Sequence, residues 1–144
     1  FLGNAVIGEW CNLGADTNNS NLKNNYSDVQ IYNYESRSME DTGLKFCGLF
    51  MGDHSKCGIN TMFNTGTVIG VSSNIFGAGF PQKFIPSFSW GGFENSPLFK
   101  FEKAVELAKQ VFKRRNMEFD STEESILKAI FDMTESTKAH GTIK

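Results

Sequence analysis

The chain has 144 residues with 14 Lys plus Arg against 16 Asp plus Glu, a net charge of -2. That length supports one domain around a single core, and the charge excludes a protein built mainly to grip nucleic-acid phosphates. No apolar run approaches the roughly 20 residues of a membrane-spanning helix, so no membrane partner is expected. Three cysteines (Cys11, Cys47 and Cys57) with no CxxC pair argue against a disulfide scaffold or a cysteine-rich zinc site. They fit a reducing, cytoplasmic setting. Residue 1 is Phe, and no charged stretch precedes an apolar one as in a signal peptide, so the chain reads as the C-terminal piece of a longer protein.

Composition changes near Pro97. Residues 1–97 carry 13 of the 30 charged residues and 13 of the 14 glycines. The expected division is therefore a strand-and-turn unit over 1–97 and a helical extension over 98–144.

The first unit repeats every six residues. From Ile7 it reads IGEWCN and LGADTN; from Met51 it reads MGDHSK, CGINTM, FNTGTV, IGVSSN and IFGAGF. The opening FLGNAV is in the same phase. First positions are apolar or Cys (Phe1, Ile7, Leu13, Met51, Cys57, Phe63, Ile69, Ile75) and fifth positions are small (Ala5, Cys11, Thr17, Ser55, Thr61, Thr67, Ser73, Gly79). Second positions are often Gly, which is expected to ease the backbone near a corner. A period of six fits neither a helix nor an alternating hairpin. It predicts a solenoid with three flat sides per coil, first and fifth positions facing inward, and parallel strand pairing between coils. A surface-adhering Thr array on the outside is not expected, because Thr61 and Thr67 take the inward fifth position.

Residues 18–28 are polar and Asn-rich, which predicts a projecting loop. VQIYNYES and LKFCGLF, separated by SMEDTG, predict a β-hairpin inserted near 29–50. FPQKFIPSFSWGGF is aromatic and is expected to lie extended across the prism, burying Phe84, Phe88 and Trp90. The aromatic set Phe80, Phe84, Phe88, Trp90 and Phe93 reads as core more readily than as a ligand wall. Ser96-Pro97 predicts the start of a first helix whose stripe is Phe101, Val105, Ala108 and Phe112, with Leu107 and Val111 beside it. Ser121 with Glu124 predicts a capping box for a second helix that buries Ile126, Leu127, Ile130, Phe131 and Met133. The basic run Lys113-Arg114-Arg115 reads as a solvated helix end.

FLGNAVIGEWCNLGADT, the Asn-rich loop with Asn25-Tyr26, and MGDHSKCGINTMF resemble, in that order, the acetyltransferase domain of bifunctional N-acetylglucosamine-1-phosphate uridyltransferase / glucosamine-1-phosphate acetyltransferases. GLKFCGLFMGDHSKCGINTMFNTGTVIG and FIPSFSWGG are more similar still to a Bacteroidetes-type sugar-nucleotidyltransferase-like subgroup. The resemblance covers residues 1–92. It implies a mainly β fold: a left-handed parallel β-helix, with an inserted hairpin and two C-terminal α-helices. It also implies a homotrimer, an N-terminal nucleotidyltransferase domain elsewhere in the intact chain, and a sugar phosphate or sugar nucleotide as ligand. Acetyl-CoA would be the co-substrate, and no metal is implied here. By the same resemblance, Asn12, Asn21, Asn25 and Tyr26 would contact the sugar, and Ala15, Ile59 and Gly77 would line the CoA cleft. Phe1 replaces a tyrosine and Ile59 replaces a serine. The family's general-base histidine would lie three residues before Phe1. A non-catalytic trimerising or regulatory β-helix is the alternative.

Within the chain, His54 is the candidate base; its other reading is a hydrogen-bonding residue at the surface or between subunits. Zinc held by three histidines, as in β-helix carbonic anhydrases, needs ligands the chain lacks, since its only other histidine is His140. His140 is expected in a frayed tail. Cys11 and Cys57 read as small core residues. Asp16, where the family has Gly, is expected to bind turn amides more readily than to reach into the cleft.

Overall fold

The chain winds through four stacked coils. β1 (Val6–Ile7), β2 (Asn12–Leu13) and β3 (Asn18–Asn19) form the first coil; β6 (Phe50–Met51), β7 (Lys56–Cys57) and β8 (Met62–Phe63) form the second. The third holds β9 (Val68–Ile69) and β10 (Asn74–Ile75), and the fourth holds β11 (Phe84–Ile85) and β12 (Trp90–Gly91). Between the first two coils stand β4 (Gln30–Asn33) and β5 (Ser38–Asp41); α1 (Phe101–Lys113) and α2 (Ser121–Ala139) follow the last coil. This computed structural model describes residues 1–139, with side chains described through residue 136; His140 lies outside the described residues.

Strands of successive coils pair in parallel into three faces: β1-β6-β9-β11, β2-β7-β10-β12 and β3-β8. Phe50 lies beside Val68 and Lys56 beside Asn74, a step of 18 residues and so of three hexads. The architecture is β-helix-like, mainly parallel β with two helices. The last step is shorter, since Val68 pairs with Phe84 and Asn74 with Trp90 after 16 residues.

First positions fill the column: Met51, Cys57, Phe63, Ile69, Ile75 and Ile85 form one buried cluster with Leu49, and Ile7 and Leu13 pack against it. Phe1 departs from the expectation and is 73% exposed. The fifth-position side chains are small and mostly buried, and their hydroxyls satisfy carbonyls that the turning backbone cannot pair in a sheet. Ser55 Oγ donates to Gly70 O (2.6 Å), and Ser73 Oγ donates to Pro86 O (2.9 Å). Gly79 departs from the rule and is exposed, as the IFGAGF hexad leaves the column after Ile75.

The corners are made at the fourth position. Asn4, Trp10, Asp16, His54, Asn60, Gly66, Ser72 and Phe88 all have left-handed backbone. The second-position glycines do not, so their role differs from the one expected: they let coils approach. A Cβ on Gly14 would stand 2.4 Å from the carbonyl carbon of Gly58.

The aromatic segment FIPSFSW is also a coil, not a strap. Ile85 is buried as a first position, Phe88 turns the corner, and Ser89 is the buried fifth position. Pro86 stands where five of the other hexads have Gly, which masks the register in the sequence. Phe88 is buried as expected, but Trp90 is 42% exposed and Phe84 is half-buried, since both point outward from the faces.

The hairpin lies inside 29–50 with shifted strands: β4 pairs antiparallel with β5 through Ile31–Glu40 and Tyr32–Met39, so SMED is a strand and not the turn. LKFCGLF instead returns the chain to the column, where Cys47 and Leu49 are buried. Tyr32 stacks on Phe84 at 3.5 Å between ring centroids, laying the hairpin over the first face.

α1 begins at Phe101, four residues after Pro97. Leu98 bridges Ser89 and Ser96 Oγ accepts from Phe93 N–H, which keeps that stretch extended. Ala104, Val105, Ala108 and Phe112 are its buried stripe. α2 is capped by Asp120, whose Oδ1 accepts from the N–H groups of Thr122 and Glu123, so no Ser121–Glu124 box is needed. Leu127 is buried and Ile130 and Phe131 are half-buried, but Ile126 and Met133 are exposed, because only one side of α2 meets α1 and the column.

Candidate functional site

Two regions gather the residues of interest. The first is the corner between the first and second faces, where the left-handed fourth positions are Trp10, His54, Ser72 and Phe88. Bulky side chains disfavour this backbone by about 1–3 kcal/mol each, so burial must compensate. The helices supply it. Phe112 of α1 packs on Trp10 at 4.2 Å and lies 6.1 Å from the His54 ring, while Phe131 of α2 meets Phe88 edge-on at 5.0 Å.

His54 is 7% exposed, and the Trp10 and Phe112 rings, in contact with each other, lie together on one side of it at 6.5 and 6.1 Å. Its Nδ1 is buried with no hydrogen-bond partner. Asp53 does not orient it: Asp53 Oδ1 accepts from Glu9 N–H at 2.8 Å. Burial pushes the His54 pKa below the ordinary imidazole value; Lys56 pushes the same way and Asp53 opposes. The buried ring therefore favours its neutral form.

The sign of the resulting pH dependence follows. An unfolded histidine takes its proton near the ordinary value of 6.5, whereas the folded one resists until lower pH. The folded chain thus binds fewer protons, and stability present above pH 6.5 falls as the solution is acidified below it. Thermal melts between pH 7.5 and about pH 5 are expected to show a drop that His54→Asn, an amide tolerant of left-handed backbone, largely removes. Equal pH dependence in both proteins would show that His54 does not carry it.

The second region is the exposed corner beyond the second face. Asn12 points outward from β2, exposed, with Lys56 beside it in register. Ala15, Ile59 and Gly77 each stand two residues past a strand of this face, and all three are exposed, Ile59 by 71%. Asn60 N–H donates to Ala15 O at 2.9 Å, locking the first two coils together there. Lys56 Nζ donates to His54 O at 2.8 Å; burial depresses the Lys56 pKa, and Cys11 opposes that shift. Cys11 Sγ donates to Gly52 O, and burial raises its pKa, which makes it a poor nucleophile.

Asn21, Asn25 and Tyr26 lie elsewhere, in the loop that leaves the column after β3. Asn21 Nδ2 donates to Asn4 Oδ1 (2.7 Å), and Asn25 Oδ1 accepts from Ser27 N–H (3.1 Å) in a local turn. Tyr26 has left-handed backbone and is 68% exposed. Within one chain, then, Asn12 and the Ala15–Ile59–Gly77 corner come together, while the Asn-rich loop sits at a different edge. Asp16 turns a corner, and its carbonyl accepts from Asn18 Nδ2. Among the described residues, no group of three or more His, Cys, Asp or Glu side chains is placed to hold a metal ion. No described helix is long and apolar enough to cross a membrane.

Sequence reasoning missed Lys56 and the Trp10–His54–Phe112 stack. The available signal was the fourth hexad position, which carries Asn, Asp, Gly or Ser at most corners but Trp10, His54 and Phe88 along one edge.

No protein-family model matches the chain. A curated protein, the bifunctional protein GlmU of Methanocaldococcus jannaschii, is 34% identical over 70 residues. The matched stretch is 49% of this chain and 16% of that protein's length. The likeness, together with the parallel sheets, supports a relationship to that family.

Proposed function

We propose that the chain is an acyltransferase-type domain of a sugar-nucleotide enzyme, transferring an acetyl group from acetyl-CoA to an amino-sugar 1-phosphate. In this reading the column is left-handed and three copies associate. Asn12 of one copy and the Asn25-Tyr26 loop of another then meet the sugar, while Ala15, Ile59 and Gly77 flank the CoA arm. The nucleotidyltransferase domain belongs to the intact chain. What carries the reading is the recurrence of Ala15, Ile59 and Gly77 at one exposed corner beside exposed Asn12. A partial likeness to the bifunctional protein GlmU stands behind it.

The chemistry is an attack of the sugar amine on the thioester carbonyl. A C–N bond forms, the C–S bond breaks, CoA leaves as the thiol, and the amine proton passes to a base. His54 is a poor base for this step, since it is buried at 7% exposure and its Nδ1 has no hydrogen-bond partner to orient it. The base is assigned to a histidine outside residues 1–144, three positions before Phe1.

The non-catalytic reading draws on Ile59, which presents an exposed apolar side chain where the reaction is proposed. One assay separates the two. Release of CoA thiol from acetyl-CoA with glucosamine-1-phosphate is followed with the full-length protein. Catalysis predicts turnover whose kcat/KM falls roughly 10–100-fold in Asn12→Ala, the loss expected for a buried hydrogen bond to substrate. Absence of both turnover and CoA binding would leave the trimerising scaffold.

A further inference from the structure

The inserted hairpin does more than lie on the column. Between it, the fourth coil and the loop at 92–96 is a cavity of about 620 Å³, within the range of small-molecule sites. It is lined by Arg37 and Lys83, and by the aromatic rings of Tyr32, Phe84 and Phe93, with Glu94 as its sole carboxylate.

The charges are the unusual part. Among the described residues, the ion pairs are Lys45–Asp28, Lys103–Glu106, Lys109–Glu124 and Lys128–Asp132; neither Arg37 nor Lys83 has a carboxylate partner. Lys83 Nζ donates only to the Gln30 carbonyl at 3.0 Å. It is half-buried, and burial and the nearby Lys23 both depress its pKa, with Cys47 opposing. Two cations left without a counterion at one cavity favour an anion there.

The rings divide similarly. Tyr32 and Phe84 are stacked on each other, and Tyr34 meets both edge-on. Phe93 has no ring partner among the described residues. It is also held in place, since a Cβ on Gly77 would stand 2.5 Å from its ring.

We propose that this cavity is a second ligand site, distinct from the acetyl-transfer corner, which binds a nucleotide with its phosphates on Arg37 and Lys83 and its base against Phe93. A planar base suits an aromatic ring without a ring partner, and a guanidinium and an ammonium lining one cavity suit a diphosphate. The site does not depend on the acyltransferase reading, because its lining residues are none of those at that corner, although Phe93 packs on Gly77 at the corner's edge.

The test is calorimetric titration of the 144-residue chain with ADP, UDP and inorganic pyrophosphate at low and moderate salt. Both nucleotides are expected to bind more tightly than pyrophosphate, and affinity is expected to fall with salt. Arg37→Gln, at an exposed position, is expected to weaken nucleotide binding about tenfold or more. Phe93→Leu is expected to weaken nucleotides while leaving pyrophosphate unchanged. Lys113→Gln, an exposed cation at the end of α1, is the control and should change nothing. No nucleotide binding at millimolar concentration, or wild-type affinity in Arg37→Gln, would overturn the site. Pyrophosphate binding as tightly as the nucleotides would overturn the assignment of the base.

Discussion

Phe88→Ala is expected to destabilise the protein by about 3–5 kcal/mol, the range for removing a fully buried aromatic side chain. Phe88 is 0% exposed and belongs to a core distinct from the column interior, joined there by Ala104, Ala108 and Leu127. Its ring meets Phe131 at 5.0 Å and Phe101 at 6.4 Å, so one substitution removes a contact to each helix, leaving Phe112 on Trp10. The column has its own buried set from Leu49 to Ile85, which shares no residue with the helical one. Denaturant unfolding followed by far-ultraviolet dichroism should therefore show helical signal lost first in the variant. A loss below about 1 kcal/mol would mean that the helices are held by something other than this corner.

Gly70→Ala is the second large effect, and it is local to the stacking of coils. A Cβ at Gly70 would stand 2.3 Å from the backbone nitrogen of Ser87 and 2.5 Å from its hydroxyl. No flexible side chain can move aside, because the nearest obstacle is backbone. The fourth coil must shift, which strains the Gly70 N–H bond to Ile85 O (2.8 Å) and the Val71 N–H bond to Ser87 Oγ (3.0 Å). A cost of about 3 kcal/mol is expected, the upper part of the range for overpacking. Gly58→Ala makes the comparison informative. It occupies the same hexad position, yet its Cβ would meet nothing closer than 3.7 Å. Melting temperatures should drop sharply for Gly70→Ala and little for Gly58→Ala; equal drops would show that coil separation is not what these glycines serve.

Those two glycines show how far a repeat can be read. The second position is marked Gly, but the pattern treats Gly58 and Gly70 alike. What separates them is the neighbour one coil on: Phe76 beside Gly58, Ser87 beside Gly70. Pro86 hid the last hexad for the same reason, since the rule counted glycines and not the close approach they permit.

His54 makes the same point at the candidate site. Its place in a hexad was visible, and so was the helical stripe containing Phe112. That Phe112 packs on Trp10 beside that histidine depends on where α1 returns to the column, far along the chain from His54. The Arg37–Lys83 cavity is less visible still, because those residues are far apart in the chain and the polar SMED stretch reads as a turn.

By itself the amino-acid order determined what is local and periodic. It set the six-residue step, the inward apolar and small positions, the existence of an insertion near 29–50 and two helices with apolar stripes. Each follows from neighbouring residues sharing one backbone geometry. Tertiary structure alone decided which corner the helices cover, which histidine is buried, which glycines touch the next coil and which cations line one cavity. Those outcomes depend on side chains that are distant along the chain and adjacent in space, and no periodicity encodes them.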